Sequence, residues 1–433
     1  MLTKNSKGHP SFLECTDRKV NRLAKKRRKP MSPKKTAFIF FLLALLVLQC
    51  KPDPSVLEKV MSSQDPAIER VRNQLKKHEV QILLTELKNQ EGGQPEFVTS
   101  SFQLNEQAYF YPASTAKLPI ATLTLQRLNE LKAEGIPISA RTPFEIRTPQ
   151  GAPIQLVDST QREGKLTFAH LIKKIFLVSD NDAYNYLFDF LGRDYINQAL
   201  LNKGLKNTQI FHKFLLGADN STTWEYIFFD KKGDTLYHQK AIESKFEGEN
   251  TLKGVFKGKG FVRDNEVIQT PMDFRFKNRI SLMDLEGILK RLIYPEVFSA
   301  EQQFHLAEED IEFLCFWMSR STLESSSPNY NDGIHWDSYG KFFIYGDQKG
   351  EMTDQIRIYN KVGYAYGTLT DVAYIEDKKN ELSFFLTATV LVNENEIFND
   401  DTYEFDAVGI PFLAHLGRLV LAELQDQQQS VVK

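Results

Sequence analysis

The sequence predicts an α+β fold: one five-stranded antiparallel sheet built from both ends of the chain, a helical lobe beside it, and a hairpin-rich insertion. Three observations lead there. Two strand-like runs stand early, VQILLTEL (80–87) and FVTSSFQL (97–104). A region near the C-terminus, 355–393, divides into three more. Between these ends the apolar residues recur at helical spacing instead of alternating.

Each element has its own signal. Residues 51–65 (KPDPSVLEKVMSSQD) carry two Pro and several small polar residues, and read as a tether. A helix is expected over about 66–78, with Ile68, Val71 and Leu75 on one stripe. NQEGGQP, between the first two strands, is a hairpin-type loop. YPASTAK (111–117) leads into a long helix over 114–134, which ends at Gly135 ahead of a proline. KLTFAHLIKKIFLVSDNDAYNYLFDFL (165–191) holds two consecutive helices, and another spans 193–203 before Gly204. Residues 217–275 alternate and contain Lys-Gly turns, so they read as the inserted region. Amphipathic helices are expected next over 280–293 and 307–320, and a closing helix over 406–426 comes after the last three strands. The domain is taken as 66–428. Cys315, within IEFLCFWM, reads as a small buried hydrophobe. The run FFIYGD (342–347) and the pair His335-Trp336 read as core, with a groove wall as the other reading.

The chain has 433 residues and is 42% apolar, enough for one large core. Its net charge of −2 is unevenly spread. Residues 1–49 hold 12 Lys and Arg against 2 acids, leaving 42 basic and 54 acidic side chains in the rest. An acidic body excludes a nucleic-acid partner, whose phosphates need a basic footprint.

The basic N-terminus is followed by 12 consecutive apolar residues, Ala37 to Leu48, and then Gln49-Cys50. As a helix that core spans roughly 18 Å, short of the ~30 Å hydrocarbon layer. It fits the apolar part of a secretory signal after a positive start. Residues 31–49 are read as that signal peptide and Met31 as its natural start, with residues 1–30 an over-extended beginning. The Cys at its end is similar to a bacterial lipoprotein cleavage site, which implies a lipid on Cys50, a tether over 50–65 and an exported, membrane-anchored protein of the bacterial cell envelope. Gln49 is larger than the small residue usual there. An uncleaved anchor and a buried core segment are the other readings. With Cys50 lipidated and Cys15 lost, Cys315 has no partner, and no internal disulfide supports the fold.

The chemistry-bearing residues lie further on. Ser114 and Lys117 are three apart, so on a helix they share one face. A serine hydroxyl needs a base and donors for the oxyanion that forms, and a lysine serves as base when burial or another cation lowers its pKa. At a helix start the Ser114 N–H is free to face developing negative charge. A second cluster is Ser179-Asp180-Asn181, and a third is Lys361-Val362-Gly363 on a predicted strand. Each residue also has an ordinary reading: Ser114, Asp180 and Asn181 as caps, Lys117 as a surface lysine, Lys361 as a strand-end charge. A second Ser-x-x-Lys (Ser32 to Lys35) and a second Lys-x-Gly (Lys231 to Gly233) show how weak each piece is alone.

Ser-x-x-Lys, Ser-Asp-Asn and Lys-x-Gly in this order resemble the class A β-lactamases and penicillin-binding proteins. The resemblance covers roughly 80–425, interrupted by the insertion, and implies a β-lactamase/transpeptidase-like fold. It implies that Ser114 is the acylated nucleophile, Lys117 its activator, and Ser179 the relay of a proton to the leaving group. Asn181 would hold a substrate amide, and Lys361 would supply positive charge near Ser179. Gly363 and Tyr364 would line the substrate, with the N–H groups of Ser114 and Tyr364 as the oxyanion hole.

Two departures limit this. Val362 stands where the family has Thr or Ser, and Val cannot bond a substrate carboxylate. The family's class A members also carry a Glu, with Asn three residues on, that activates the deacylating water. The corresponding stretch, NTQIFHKFLLGADNSTTWEY, lacks that spacing, and Glu225 is the nearest acid of the right type. Slow deacylation is therefore expected. The open readings are β-lactam hydrolysis, a peptidase, transferase or esterase role on cell-wall peptide or another ester, and a silent binding lipoprotein that kept the fold. No cofactor or metal is expected, since neither a phosphate loop nor a His-x-x-x-His pair occurs in the sequence. The expected partners are a small-molecule or cell-wall peptide substrate and the membrane, with the protein a monomer.

Overall fold

The structure, a computed structural model, describes residues 54–88, 94–154, 158, 160, 165–215 and 217–432. The signal region, Cys15, Ser32, Lys35, Cys50 and part of the first hairpin loop lie outside the described residues.

The chain ends do meet in one sheet. Strands β1 (Gln81–Lys88) and β2 (Glu96–Phe102) form a hairpin. β1 pairs with a strand from the far end of the sequence, Leu382–Leu391. Four further short strands precede that region in two hairpin-like pairs: β3 (Phe144–Arg147) with β4 (Pro153–Ile154), and β5 (Glu225–Phe229) with β6 (Thr235–Gln239). β3 also pairs with β5, so these make a second, four-stranded sheet. The rest of the insertion forms short strands β7 (Phe256–Lys257), β8 (Gly260–Arg263), β9 (Glu266–Ile268) and β10 (Met272–Asp273). The long strands β11 (Ile356–Ala365), β12 (Thr368–Asp377) and β13 (Leu382–Leu391) complete the main sheet in the order β11-β12-β13-β1-β2, antiparallel throughout. Thus the 217–275 stretch is only partly a separate insertion, because its first hairpin is tied to β3.

Helices cover both faces of the main sheet. On one face lie α1 (Val56–Met61), α2 (Pro66–Arg72) and the short α3 (Leu75–His78), together with the C-terminal helix Ile410–Val432. The expected single helix over 66–78 is broken at Asn73-Gln74. The tether reading of 50–65 is corrected for its second half. Ser55 caps α1 in a capping box with Glu58, and Val56, Leu57, Val60 and Met61 are buried in the core. Two prolines and small polar residues hid this apolar stripe.

The other face carries the helical lobe. It comprises α4 (Lys117–Ala133), α5 (Phe168–Val178), α6 (Asn181–Leu191), α7 (Arg193–Asn202), α8 (Leu282–Ile293) and α9 (Glu308–Ser319). α4 is its centre: Leu118, Ile120, Ala121, Leu123 and Leu125 point in several directions and all are buried, as a helix apolar all round requires. The C-terminal helix, α10 (Ile410–Val432), is long and apolar enough to cross a membrane. Half of that stretch is buried, with Phe412, Leu413, Leu416 and Val420 packed on the sheet. Phe342, Phe343, Ile344 and Tyr345 of FFIYGD join the same core. Cys315 is half-buried on α9, and burial pushes its thiol up to about 12, which leaves it a packing residue.

Candidate active site

Ser114 sits in a 3-10 turn, Ala113–Ala116, that runs directly into α4. The turn is fastened by Thr115, whose N–H (3.1 Å) and hydroxyl (2.6 Å) both donate to Pro112 O. Strand β11 lies against it so closely that a Cβ on Gly363 would come within 2.6 Å of Pro112 O, 2.7 Å of Thr115 N and 2.8 Å of Ser114 N. Only glycine permits that approach. The third motif is thereby pressed onto the first, and the Ser114 N–H lies beside the strand that carries Tyr364.

At the first residue of α4, Lys117 is fully buried. Its ammonium donates to the Ser179 carbonyl, to the Ser179 hydroxyl at 3.2 Å and to Asn181 Oδ1 at 2.7 Å. Ser179 ends α5 in the left-handed conformation (φ 57°), which aims both its carbonyl and its hydroxyl at Lys117. Asp180 then caps α6 through the Ala183 N–H (2.8 Å) and pairs with Lys174 (3.0 Å). Asp180 is therefore the fastener of the junction between the two helices. Because Asn181 gives its oxygen to Lys117, its amide N–H groups remain as donors.

From β11, the buried Lys361 reaches the same hydroxyl: its Nζ donates to Ser179 Oγ at 2.8 Å and to Val362 O at 2.8 Å. With Ser179 Oγ accepting from both lysines, its own O–H is free to donate to another group. Burial pushes Lys117 down to about 7, against the attraction of Asp180. Lys361 falls well below the usual lysine range, through burial first and the Lys117 charge second.

The spacing in the sequence thus predicts a real cluster: Ser114, Lys117, Ser179, Asn181, Lys361 and Gly363 come together from four elements. Tyr364 comes next, on the cleft rim, half exposed, with its ring 6.0 Å from Phe342 and 5.4 Å from Phe405. No hydrogen bond joins Lys117 to the Ser114 hydroxyl among the described residues. The second Lys-x-Gly, Lys231 to Gly233, is simply the turn after β5.

Glu225 does not join this cluster. It lies on β5, where its carboxylate bonds His238 (2.9 Å) and Lys240 (3.5 Å), and the His238 bond holds it below the ordinary glutamate value. The place beside Lys117 belongs instead to Phe214, a residue that sequence reading passed over. Its N–H donates to Asn185 Oδ1 at 2.6 Å, and its ring stacks on Tyr184 at 4.4 Å. That ring stands 5.2 Å from Lys117 Nζ. The available signal was Asn185, six residues after Ser179 and buried on the site-facing side of α6. Val362 is also buried, in the core layer under α10, so it packs and does not face substrate.

No protein with a curated description matches this chain. Among solved structures, a class A beta-lactamase from Mycobacterium abscessus is similar at 15% identity, over 83% of this chain and 99% of that one, with a TM-score of 0.46. A beta lactamase from Xanthomonas campestris pv. campestris is similar at 15% identity, over 84% and 97%, with a TM-score of 0.48. PBP-A is similar at 13% identity, over 87% and 98%, with a TM-score of 0.46. Residues 66–308, more than half of the chain, match the beta-lactamase enzyme family. The protein belongs to that family of serine hydrolases, with its α+β fold.

Proposed function

We propose that this protein is an active-site-serine acyltransferase or hydrolase that forms a persistent acyl-enzyme on Ser114 with a β-lactam or a related amide or ester. The observation that carries the reading is the Ser179 hydroxyl, held between the side-chain nitrogens of Lys117 (3.2 Å) and Lys361 (2.8 Å) beside the Ser114 turn.

In this reading neutral Lys117 takes the Ser114 proton as Ser114 Oγ bonds the substrate carbonyl carbon. A lysine lowered to about 7 has a useful neutral fraction at neutral pH. The tetrahedral oxyanion accepts from the N–H groups of Ser114 and Tyr364. As the carbon–nitrogen or carbon–oxygen bond breaks, Ser179 gives its proton to the leaving group and regains one from Lys117. The net transfer is one proton from nucleophile to leaving group, with the acyl group left on Ser114. Lys361 holds the Ser179 hydroxyl in place as a hydrogen-bond donor beside the relay.

Deacylation is the slow half. A water or acceptor attacking the acyl-Ser114 ester needs a base, and the position beside Lys117 holds the Phe214 ring. This favours a peptidase, transferase or esterase role on cell-wall peptide over efficient β-lactam turnover. A silent binding role draws support from the missing Lys117–Ser114 bond. We further infer export and lipid anchoring at Cys50, on the sequence signal alone.

The test is intact-mass analysis of the mature protein from membranes after incubation with assorted β-lactams and activated esters. The expected result is one added acyl mass lost in Ser114→Ala, on a chain that begins at lipid-modified Cys50. An unmodified Ser114 with every donor would refute the acylation reading, and turnover of a chromogenic cephalosporin would move it to a lactamase.

A further inference from the structure

The site has lost one way of binding an anion. Val362 is buried in the core, and the ammonium of Lys361 is committed to Ser179 and to Val362 O. Another cation stands at the end of an aromatic cluster that includes Tyr111 and Phe214. Lys277, just past the insertion, places its Nζ 5.7 Å from the centroid of the Tyr366 ring. Tyr366 packs at 5.2 Å on Tyr111, three residues before Ser114. Tyr111 in turn stacks on His212 (6.3 Å), and His212 meets Phe214 (5.8 Å), the residue beside Lys117. A contiguous run of rings therefore leads from Lys277 to the catalytic lysine.

Among the described residues no acid forms an ion pair with Lys277, and burial pulls its pKa down with no carboxylate opposing. Burial first and the Asp401 charge second raise the Tyr366 hydroxyl, yet among the described residues Asp401 does not pair with Lys277. Burial, then Lys277 itself, pushes His212 down to about 4, so that ring is neutral at working pH, and its Nε2 is buried without a partner among the described residues. A half-buried ammonium against aromatic faces gains some cation–π energy but leaves its charge uncompensated. An anionic ligand group would complete it.

Position along β11 says which part of the substrate that is. Lys361 faces Ser179, the leaving-group side. Gly363 touches the Ser114 turn and Tyr364 supplies the proposed oxyanion donor. Tyr366 comes next in the chain, in the turn just past the end of β11, on the opposite side of Tyr364 from Lys361 along the chain. Resting on the acylating reading of Ser114, we propose that the substrate carries a carboxylate on its acyl portion and that Lys277 binds it over the Tyr366 ring.

The experiment measures non-covalent binding by calorimetry in a Ser114→Ala background, so it does not depend on acylation. The probes are benzylpenicillin and its α-carboxyl analogue, which differ by one carboxylate on the acyl side chain. With Lys277 present the carboxyl analogue binds about ten- to a hundredfold tighter, the range of a charge-assisted hydrogen bond. Lys277→Gln removes that ratio, and Lys277→Arg keeps most of it. Equal binding of the two probes to the Lys277 protein, or a ratio unchanged in Lys277→Gln, overturns the proposal. Circular-dichroism melting of each variant reports whether it is folded. Failure of the acylation reading appears separately, as an unmodified Ser114 in the native protein.

Discussion

At the scale of single residues, two positions decide what the site does. Ser179 must adopt a left-handed backbone to offer its carbonyl and hydroxyl to one lysine. On the proposed acylating reading, Phe214 sets how long an acyl-enzyme would last. A carboxylate in place of its ring would stand near a lysine that titrates near neutrality and could hold a water against the ester. Phe214→Glu is therefore expected to speed decay of the acyl-enzyme by about tenfold or more, since general-base help contributes 10²–10⁴-fold when well placed. A mass time course of penicillin-labelled protein measures it. Decay no faster than in the parent would show that the ring does not occupy the deacylating position.

At the scale of elements, the site depends on how closely β11 meets the Ser114 turn. The atoms that a Gly363 side chain would strike are backbone, which cannot rotate away. Gly363→Ala is expected to cost about 1–3 kcal/mol, as overpacking does, and to slow acylation of Ser114 by displacing the strand. Urea denaturation together with labelling rate checks both. The first helix makes a second prediction. Val56, Leu57, Val60 and Met61 are each at most 2% exposed, and a fully buried side chain of this kind contributes roughly 1.5–3 kcal/mol. Their sum is comparable with the ~5–15 kcal/mol that holds a domain together. A chain begun at residue 66 is expected to lose its cooperative melt, whereas one begun at 54 keeps it. Matching melts would return 54–65 to the tether reading.

At the scale of the whole molecule, the buried charges set the response to pH. Burial lowers Lys117 and Lys341 to about 7, and Lys361 lies well below the lysine range. In the unfolded chain all three keep their protons to about pH 10. Between about pH 7 and 10 the unfolded state therefore binds more protons, and stability rises with pH. Asp371, raised to about 6 by burial, acts lower down. Between about pH 4 and 6 the folded state binds more protons there, so its contribution falls as pH climbs. His212, which burial lowers to about 4, acts in the opposite sense over the same range, so the expected profile is defined by its gain from about pH 7 toward pH 9, read by urea denaturation. Lys341→Met should remove part of that gain, and a flat alkaline limb would contradict the lysine assignment.

Much of this was legible in the sequence because the signals were local. Apolar strand-like runs marked the five strands at the two ends, helical periodicity marked the lobe, and three short motifs marked the candidate chemistry. Ser114, Lys117, Ser179, Asn181, Lys361 and Gly363 were chosen because the three motifs in order resemble a known family; residue type and spacing alone left each with an ordinary reading. Only the tertiary structure decided what fills the gaps between them. It put a phenyl ring beside Lys117, held Glu225 on a separate sheet, turned Val362 into the core and left Lys277 with no acid paired to it among the described residues. Local pattern dictates none of these, because each depends on which distant backbone a side chain meets once the chain is packed.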